Sequence, residues 1–98
     1  MEKMVYICCK TNNTKTIAKM LTILKEQHPE CCFFSPLIAF SYLDQLDRDY
    51  VVEHYLFALA HCDEIWTFGK SSNSQDCRVE QLFAERYKIP MIDMGVMN

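Results

Sequence analysis

The sequence predicts an α/β domain with a four-stranded parallel sheet and helices on both faces, a three-layer arrangement. Three observations carry this. Short runs of β-branched, aromatic and aliphatic residues alternate along the chain with longer segments of helical periodicity. The runs at Met4 to Cys9 and Ile65 to Phe68 are apolar almost throughout, as strands covered on both faces are. The first and third runs end in helix-capping or turn residues, not in a two-residue hairpin signal. With 98 residues and 50% hydrophobic composition, the chain reads as one domain over 1–98 with enough apolar material for a core.

The first strand, Met4 to Cys9, runs into Lys10, with Thr11, Asn12 and Asn13 as candidate helix caps. The helix that follows puts Ile17, Met20, Leu21 and Leu24 on one face. It stops at His28-Pro29, because the residue before a proline avoids helical dihedrals. Cys31 to Phe34 is the second strand. Ser35-Pro36 breaks it, and Pro36 suits the first turn of a short helix through Leu37, Ile38, Phe40 and Leu43, which either roofs a site or packs at an oligomer interface. An acidic break, Asp44 to Asp49, leads into a longer helix from about Arg48 to His61, with Val51, Val52, Tyr55, Leu56 and Leu59 as its buried stripe. Ile65 to Phe68 is the third strand, closed by Gly69, and Lys70 to Asn73 is turn-rich. From Ser74 to Tyr87 the spacing predicts a helix with Val79, Leu82, Phe83 and Tyr87 on one face. Lys88-Ile89-Pro90 ends it, and Met91 to Val96 is the fourth strand. Right-handed crossovers and a 2-1-3-4 strand order follow by analogy with doubly wound domains. The stretches 8–13, 35–37 and 68–74 then gather at one edge, where such sheets place ligands.

A net charge of -3 with scattered Lys and Arg argues against duplex nucleic acid and against a cationic membrane surface. No apolar run approaches spanning length, and the N-terminus lacks a signal-peptide core, so a soluble, cytoplasmic protein is expected. The six cysteines include no C-x-x-C, which points to reduced thiols packed as small hydrophobes, with no metal. Gly69 and Gly95 are the only glycines, so no Gly-rich phosphate loop exists and no cofactor is expected. Phe40, Tyr50, Tyr55 and Phe57 offer more aromatic surface than a small domain buries easily, which predicts a homo-oligomer, a dimer or higher.

Glu80 is the sharpest candidate for chemistry. Near a helix N-terminus a carboxylate is stabilised as the anion, and facing a pocket it can act as nucleophile, base or hydrogen-bond acceptor for sugar hydroxyls. A solvated first-turn glutamate is the ordinary alternative. Tyr6 lies in the first strand, where its hydroxyl needs a partner and a carboxylate is a natural one. Asp63 alone reads as a strand-start residue, and His28, His54 and His61 as structural. Asp76 would repel an anion at the last helix's N-terminus unless Lys70 or Arg78 compensates.

Together these stretches resemble the nucleoside 2-deoxyribosyltransferase-like family, in particular its small, often phage-borne relatives. Val5-Tyr6-Ile7 is similar to the family's first strand, and Ser35-Pro36-Leu37 with Phe40 and Leu43-Asp44 to its next conserved segment. Cys62-Asp63-Glu64-Ile65-Trp66-Thr67-Phe68-Gly69 is the most specific match. Ser74, Glu80 and Ala84 fit the following helix, and Ile89-Pro90 the entry to the last strand. The resemblance implies a Rossmann-like fold and a nucleoside or nucleotide pocket in which Glu80 attacks the anomeric carbon, Tyr6 orients it and Asp63 sits beside the ligand. Cys8, Cys9, Ser35, Pro36, Gly69, Ser74, Asp76 and Cys77 would line that pocket. Asp76 stands where the family has glycine, Cys77 where it has Met, Thr or Ser, and Cys8-Cys9-Lys10 where it has Ser-Gly-Pro. Three functions remain open: a protein that captures a nucleotide or ADP-ribose-type molecule, for instance a phage-borne protein that sequesters a host signal; an N-glycosyl hydrolase or transferase working through Glu80; and a non-catalytic interaction domain.

Overall fold

The computed structural model describes residues 3–9, 13–43, 46–69 and 75–95. In chain order these form β1 (Lys3–Cys9), α1 (Thr14–Gln27), β2 (Cys31–Phe34), α2 (Pro36–Ala39), a 3-10 turn (Ser41–Leu43), α3 (Arg48–Leu59), β3 (Glu64–Phe68), α4 (Gln75–Arg86) and β4 (Met91–Asp93). The four strands make one parallel sheet in the order β2-β1-β3-β4, as expected. The expected turn at 70–73, Thr11 and Asn12 as caps, Asp44 in the acidic break and Val96 lie outside the described residues; the fourth strand is shorter than expected, ending at Asp93, with Met94 and Gly95 beyond it.

Alternation along β1 divides the core between two faces. Val5 and Ile7 face α1 and pack with Met20, Leu24, Cys31, Trp66 and Phe68. Tyr6 and Cys8 face the other way, into a cluster with Leu59, Cys62, Ile65, Cys77 and Ala84 from α3, β3, α4 and their connections. Helices therefore cover both faces of the two central strands.

Asn13 begins α1: its side-chain oxygen accepts from the N–H groups of Lys15 and Thr16 at 3.1 and 3.2 Å. Asp47 caps α3 through the N–H of Asp49 at 2.9 Å. Residues four apart, Val51, Tyr55 and Leu59, form that helix's buried line. Tyr55 is core, as its place in the helix's apolar stripe predicts, whereas Tyr50 and Phe57 are exposed.

The inward face of α4 differs from the apolar stripe. Cys77, Glu80 and Ala84 are buried, Val79 and Phe83 are half-buried, and Leu82 and Tyr87 are 63% and 60% exposed. Small side chains let the helix lie close against β1 and β3, and that close seat rotates the bulky residues outward. The C-terminus of α4 is a Schellman motif: the N–H of Ile89 donates to the carbonyl of Ala84 at 2.8 Å and that of Lys88 to Glu85 at 3.3 Å. Ile89 and Ala84 lie in the same apolar cluster, the hydrophobic contact that accompanies this motif. Lys88 takes the left-handed position at φ 59°, which favours glycine. Lys88→Gly is therefore expected to raise stability by about 1 kcal/mol, or about 5 °C in Tm, by calorimetry; a lower Tm would contradict this account of the helix end.

Candidate functional site

Two pairs of side chains bridge β1 and α4 beneath the carboxyl-terminal edge of the sheet. Residues two apart on β1, Tyr6 and Cys8, share a face with each other, and so do Cys77 and Glu80, three apart on α4. Cys8 meets Cys77 and Tyr6 meets Glu80, so α4 descends as β1 rises. The outer pair is sulfur: Cys8 Sγ lies 4.0 Å from the carbonyl oxygen of Cys77, its thiol interacts with that of Cys77, and the Gln81 amide Nε2 donates to it at 3.9 Å.

The inner pair is oxygen. Tyr6 is 0% exposed and Glu80 4%. Neither Tyr6 Oη nor Glu80 Oε2 has a hydrogen-bond partner, although both atoms are buried. The two groups lie within electrostatic reach of each other but outside the geometry of a closed hydrogen bond. Burial first, then the neighbouring Cys77, pushes the Glu80 carboxyl from 4.5 up to about 8; Tyr6, Cys8 and the Arg48 guanidinium draw it back. Burial and then the Glu80 charge raise the Tyr6 phenol well above its ordinary value. Glu80 is thus a neutral acid at pH 7, able to donate a proton or a hydrogen bond.

Six neighbours had no place among the expected site residues. Thr67 is buried on β3 level with Cys8, and Gln81 touches the Cys8 sulfur. Arg48, the first residue of α3, holds its guanidinium carbon 5.9 Å from the centre of the Tyr55 ring. Tyr55 in turn stacks on Phe40 at 5.8 Å, and Tyr6 on Phe34 at 5.9 Å. Spacing alone carries no signal for any of them except the helical line Arg48 to Tyr55, seven residues or about two turns apart.

The expected residues divide. Cys8, Cys77, Tyr6 and Glu80 come together. Ser35 and Pro36 are buried at the end of β2 on the same edge of the sheet. Gly69 ends β3 at φ +64°, with its N–H donating to the Gly95 carbonyl at 2.7 Å. Cys9 packs on the α1 face, opposite Glu80, and burial pushes its thiol up to about 11. Ser74 and the Asp76 side chain lie outside the described residues.

Asp63 lies apart from the strand ends. It precedes β3 at the opposite edge of the sheet, five residues below Phe68 or about 17 Å along the strand. There it exchanges two hydrogen bonds with Met4: its N–H donates to the Met4 carbonyl at 2.8 Å, and Oδ2 accepts from the Met4 N–H at 2.8 Å. Asp63 registers β3 against β1, and its Oδ2 is engaged there with Met4, two positions before Ile65, the residue level with Tyr6. Glu64 next to it is likewise occupied, accepting from Lys3 Nζ at 2.7 Å and from Trp66 Nε1 at 2.9 Å.

Elsewhere, a groove of about 560 Å³ on α3 is lined by Phe40, Glu53, His54 and Phe57. Among the described residues no group of three or more His, Cys, Asp or Glu is placed to hold a metal ion, and no helix is long and apolar enough to cross a membrane. Comparison of the chain with protein-family models, with curated proteins and with solved structures gives no match.

The raised Glu80 pKa has a signed consequence. Between 4.5 and about 8 the folded chain holds a proton that the unfolded chain has released, so stability is full below 4.5 and falls as pH rises to about 8. The loss is on the order of 5 kcal/mol. Denaturant unfolding across this range should show the decline in the wild type and its removal in Glu80→Gln; equal slopes in the two proteins would show that Glu80 is not the buried acid.

Proposed function

We propose that this chain is a nucleotide-binding protein of nucleoside 2-deoxyribosyltransferase-like type, which captures a nucleotide or ADP-ribose-type ligand by its ribosyl hydroxyls. The observation that carries the reading is the pair of buried, unpartnered oxygens, Tyr6 Oη and Glu80 Oε2, facing each other under the strand ends. A buried polar atom without a partner costs about 1–3 kcal/mol, so a group that satisfies both is bound with that much advantage. A sugar hydroxyl fits because it donates and accepts at once: it can accept from the protonated Glu80 carboxyl and donate to the Tyr6 oxygen. Entry requires α4 to draw away from β1, since both oxygens are covered. Capture without turnover suits a carboxyl that is neutral at pH 7, and such a protein could serve to sequester a nucleotide signal, including a host signal during phage infection.

A second reading, N-glycosyl transfer or hydrolysis with Glu80 as nucleophile, is favoured by the same Tyr6–Glu80 apposition. It requires the anion, so its rate would rise with pH through about 8. As an interaction surface, exposed Tyr42, Tyr50 and Phe57 support a homo-oligomeric contact on the α2–α3 side.

A thermal-shift screen of nucleosides, nucleotides and ADP-ribose derivatives at pH 7 tests the proposal. At least one should raise the melting temperature and be recovered intact after denaturation, with Tyr6→Phe and Glu80→Ala each weakening binding about tenfold. No shift from any of them at millimolar concentration would end the nucleotide reading. Release of free base, abolished in Glu80→Gln, would establish the second reading instead.

A further inference from the structure

The sulfur pair above Glu80 is used by neither reading. Cys8 and Cys77 lie 69 positions apart in sequence on different elements, yet both are almost fully buried in one cluster, with the Cys8 sulfur 4.0 Å from the Cys77 carbonyl oxygen and the two thiols interacting. The Cys8 sulfur is also held from the side by the Gln81 amide, which donates to it. Donation from an amide N–H is the interaction that stabilises a thiolate. That makes Cys8 the attacking sulfur and Cys77 the resolving one.

We propose that Cys8 and Cys77 form a peroxide-sensitive dithiol, and that its oxidation to a disulfide pins α4 against β1 directly above Glu80. Cys8 releases its proton, and its sulfur attacks one oxygen of a hydroperoxide. The O–O bond breaks, leaving Cys8 as a sulfenic acid and releasing water from hydrogen peroxide or an alcohol from an alkyl hydroperoxide. The Cys77 sulfur, its proton lost, then attacks the Cys8 sulfur; the S–S bond forms, the S–O bond breaks and the hydroxyl leaves as water. Two thiols are oxidised by two electrons and one hydroperoxide is reduced by two. Hydrogen peroxide is small enough to reach thiols that a bulky disulfide reagent would not. The neighbouring Cys77 thiol, then burial and the Glu80 carboxyl, hold the Cys8 proton on, so the reaction is slow compared with an exposed, ordinary thiol. It therefore responds to sustained oxidant. The bond holds closed the α4–β1 interface beside Tyr6 and Glu80, through which a ligand would reach them. This last consequence rests on the nucleotide reading; the bond and its pinning of α4 do not.

The test uses the full chain carrying Cys32→Ser, which removes the exposed thiol on β2. After hydrogen peroxide and alkylation of the remaining thiols, non-reducing peptide mapping should find the Cys8 and Cys77 peptides linked, with two hydrogens lost. Cys77→Ser should instead leave a sulfenic acid at Cys8 that a cyclic 1,3-dione labels, and Gln81→Leu should slow that labelling several-fold. Amides over 77–84 should exchange hydrogen about tenfold more slowly in the oxidised chain, with or without ligand. A Cys8–Cys9 link, a link between chains, or no link would overturn the proposal, as would unchanged exchange in α4. If the link and slowed exchange appear while no nucleotide binds the reduced chain, the nucleotide reading fails and the switch stands.

Discussion

A carboxyl group buried against a tyrosine, with no hydrogen bond closed between them, is the constraint on which this structure turns. Glu80 occupies a position on α4 where an apolar residue would serve packing better, and the fold carries it as a neutral acid. The surrounding side chains explain how it is tolerated. Cys77 and Ala84 on its own helix are small, Tyr6 presents its phenol edge, and Arg48 supplies positive charge from α3. Conserving the folded state alone would favour a methionine or leucine there. Buried polar groups without closed hydrogen bonds, and carboxyls with strongly shifted pKa values, are over-represented at binding and reacting sites.

The architecture supplies the placement. In a parallel sheet every strand ends at the same edge, and each returning helix begins above that edge. β1 brings Tyr6 and Cys8 up from below, and α4 brings Cys77 and Glu80 down from above. The seat of α4 is close because its inner residues are small. Asp63 works at the opposite edge, where its two hydrogen bonds to Met4 hold β3 in register with β1. That register is what sets Cys8 level with Thr67 and Tyr6 level with Ile65.

Fold class and nearly every element boundary could be read from the chain because they depend on local patterns: apolar runs, the Asn13 cap and the Pro29 and Pro36 breaks; strand order came by analogy with doubly wound domains. The inward face of α4 could not. Hydrophobic spacing pointed to Leu82 and Tyr87, but a helix packed closely on a sheet selects for small volume, and that selection favoured Cys77 and Ala84. Glu80 was found by position near a helix start and by resemblance to other sequences, even though its apolar neighbours pointed to the wrong face. Asp63 reads from the chain as a strand-start residue, which is where it lies; its place beside a ligand came only from the resemblance. Arg48, Thr67 and Gln81 escaped notice because their importance arises only when three elements meet.

The central claim is that Glu80 is a buried acid held neutral under the strand ends. Carbon-13 NMR of the Glu80 side-chain carboxyl, followed through a pH titration of the free protein, tests it most directly. The account predicts a midpoint near about 8, moving in Tyr6→Phe. A midpoint near 4.5, the value of a carboxyl in water, would contradict it.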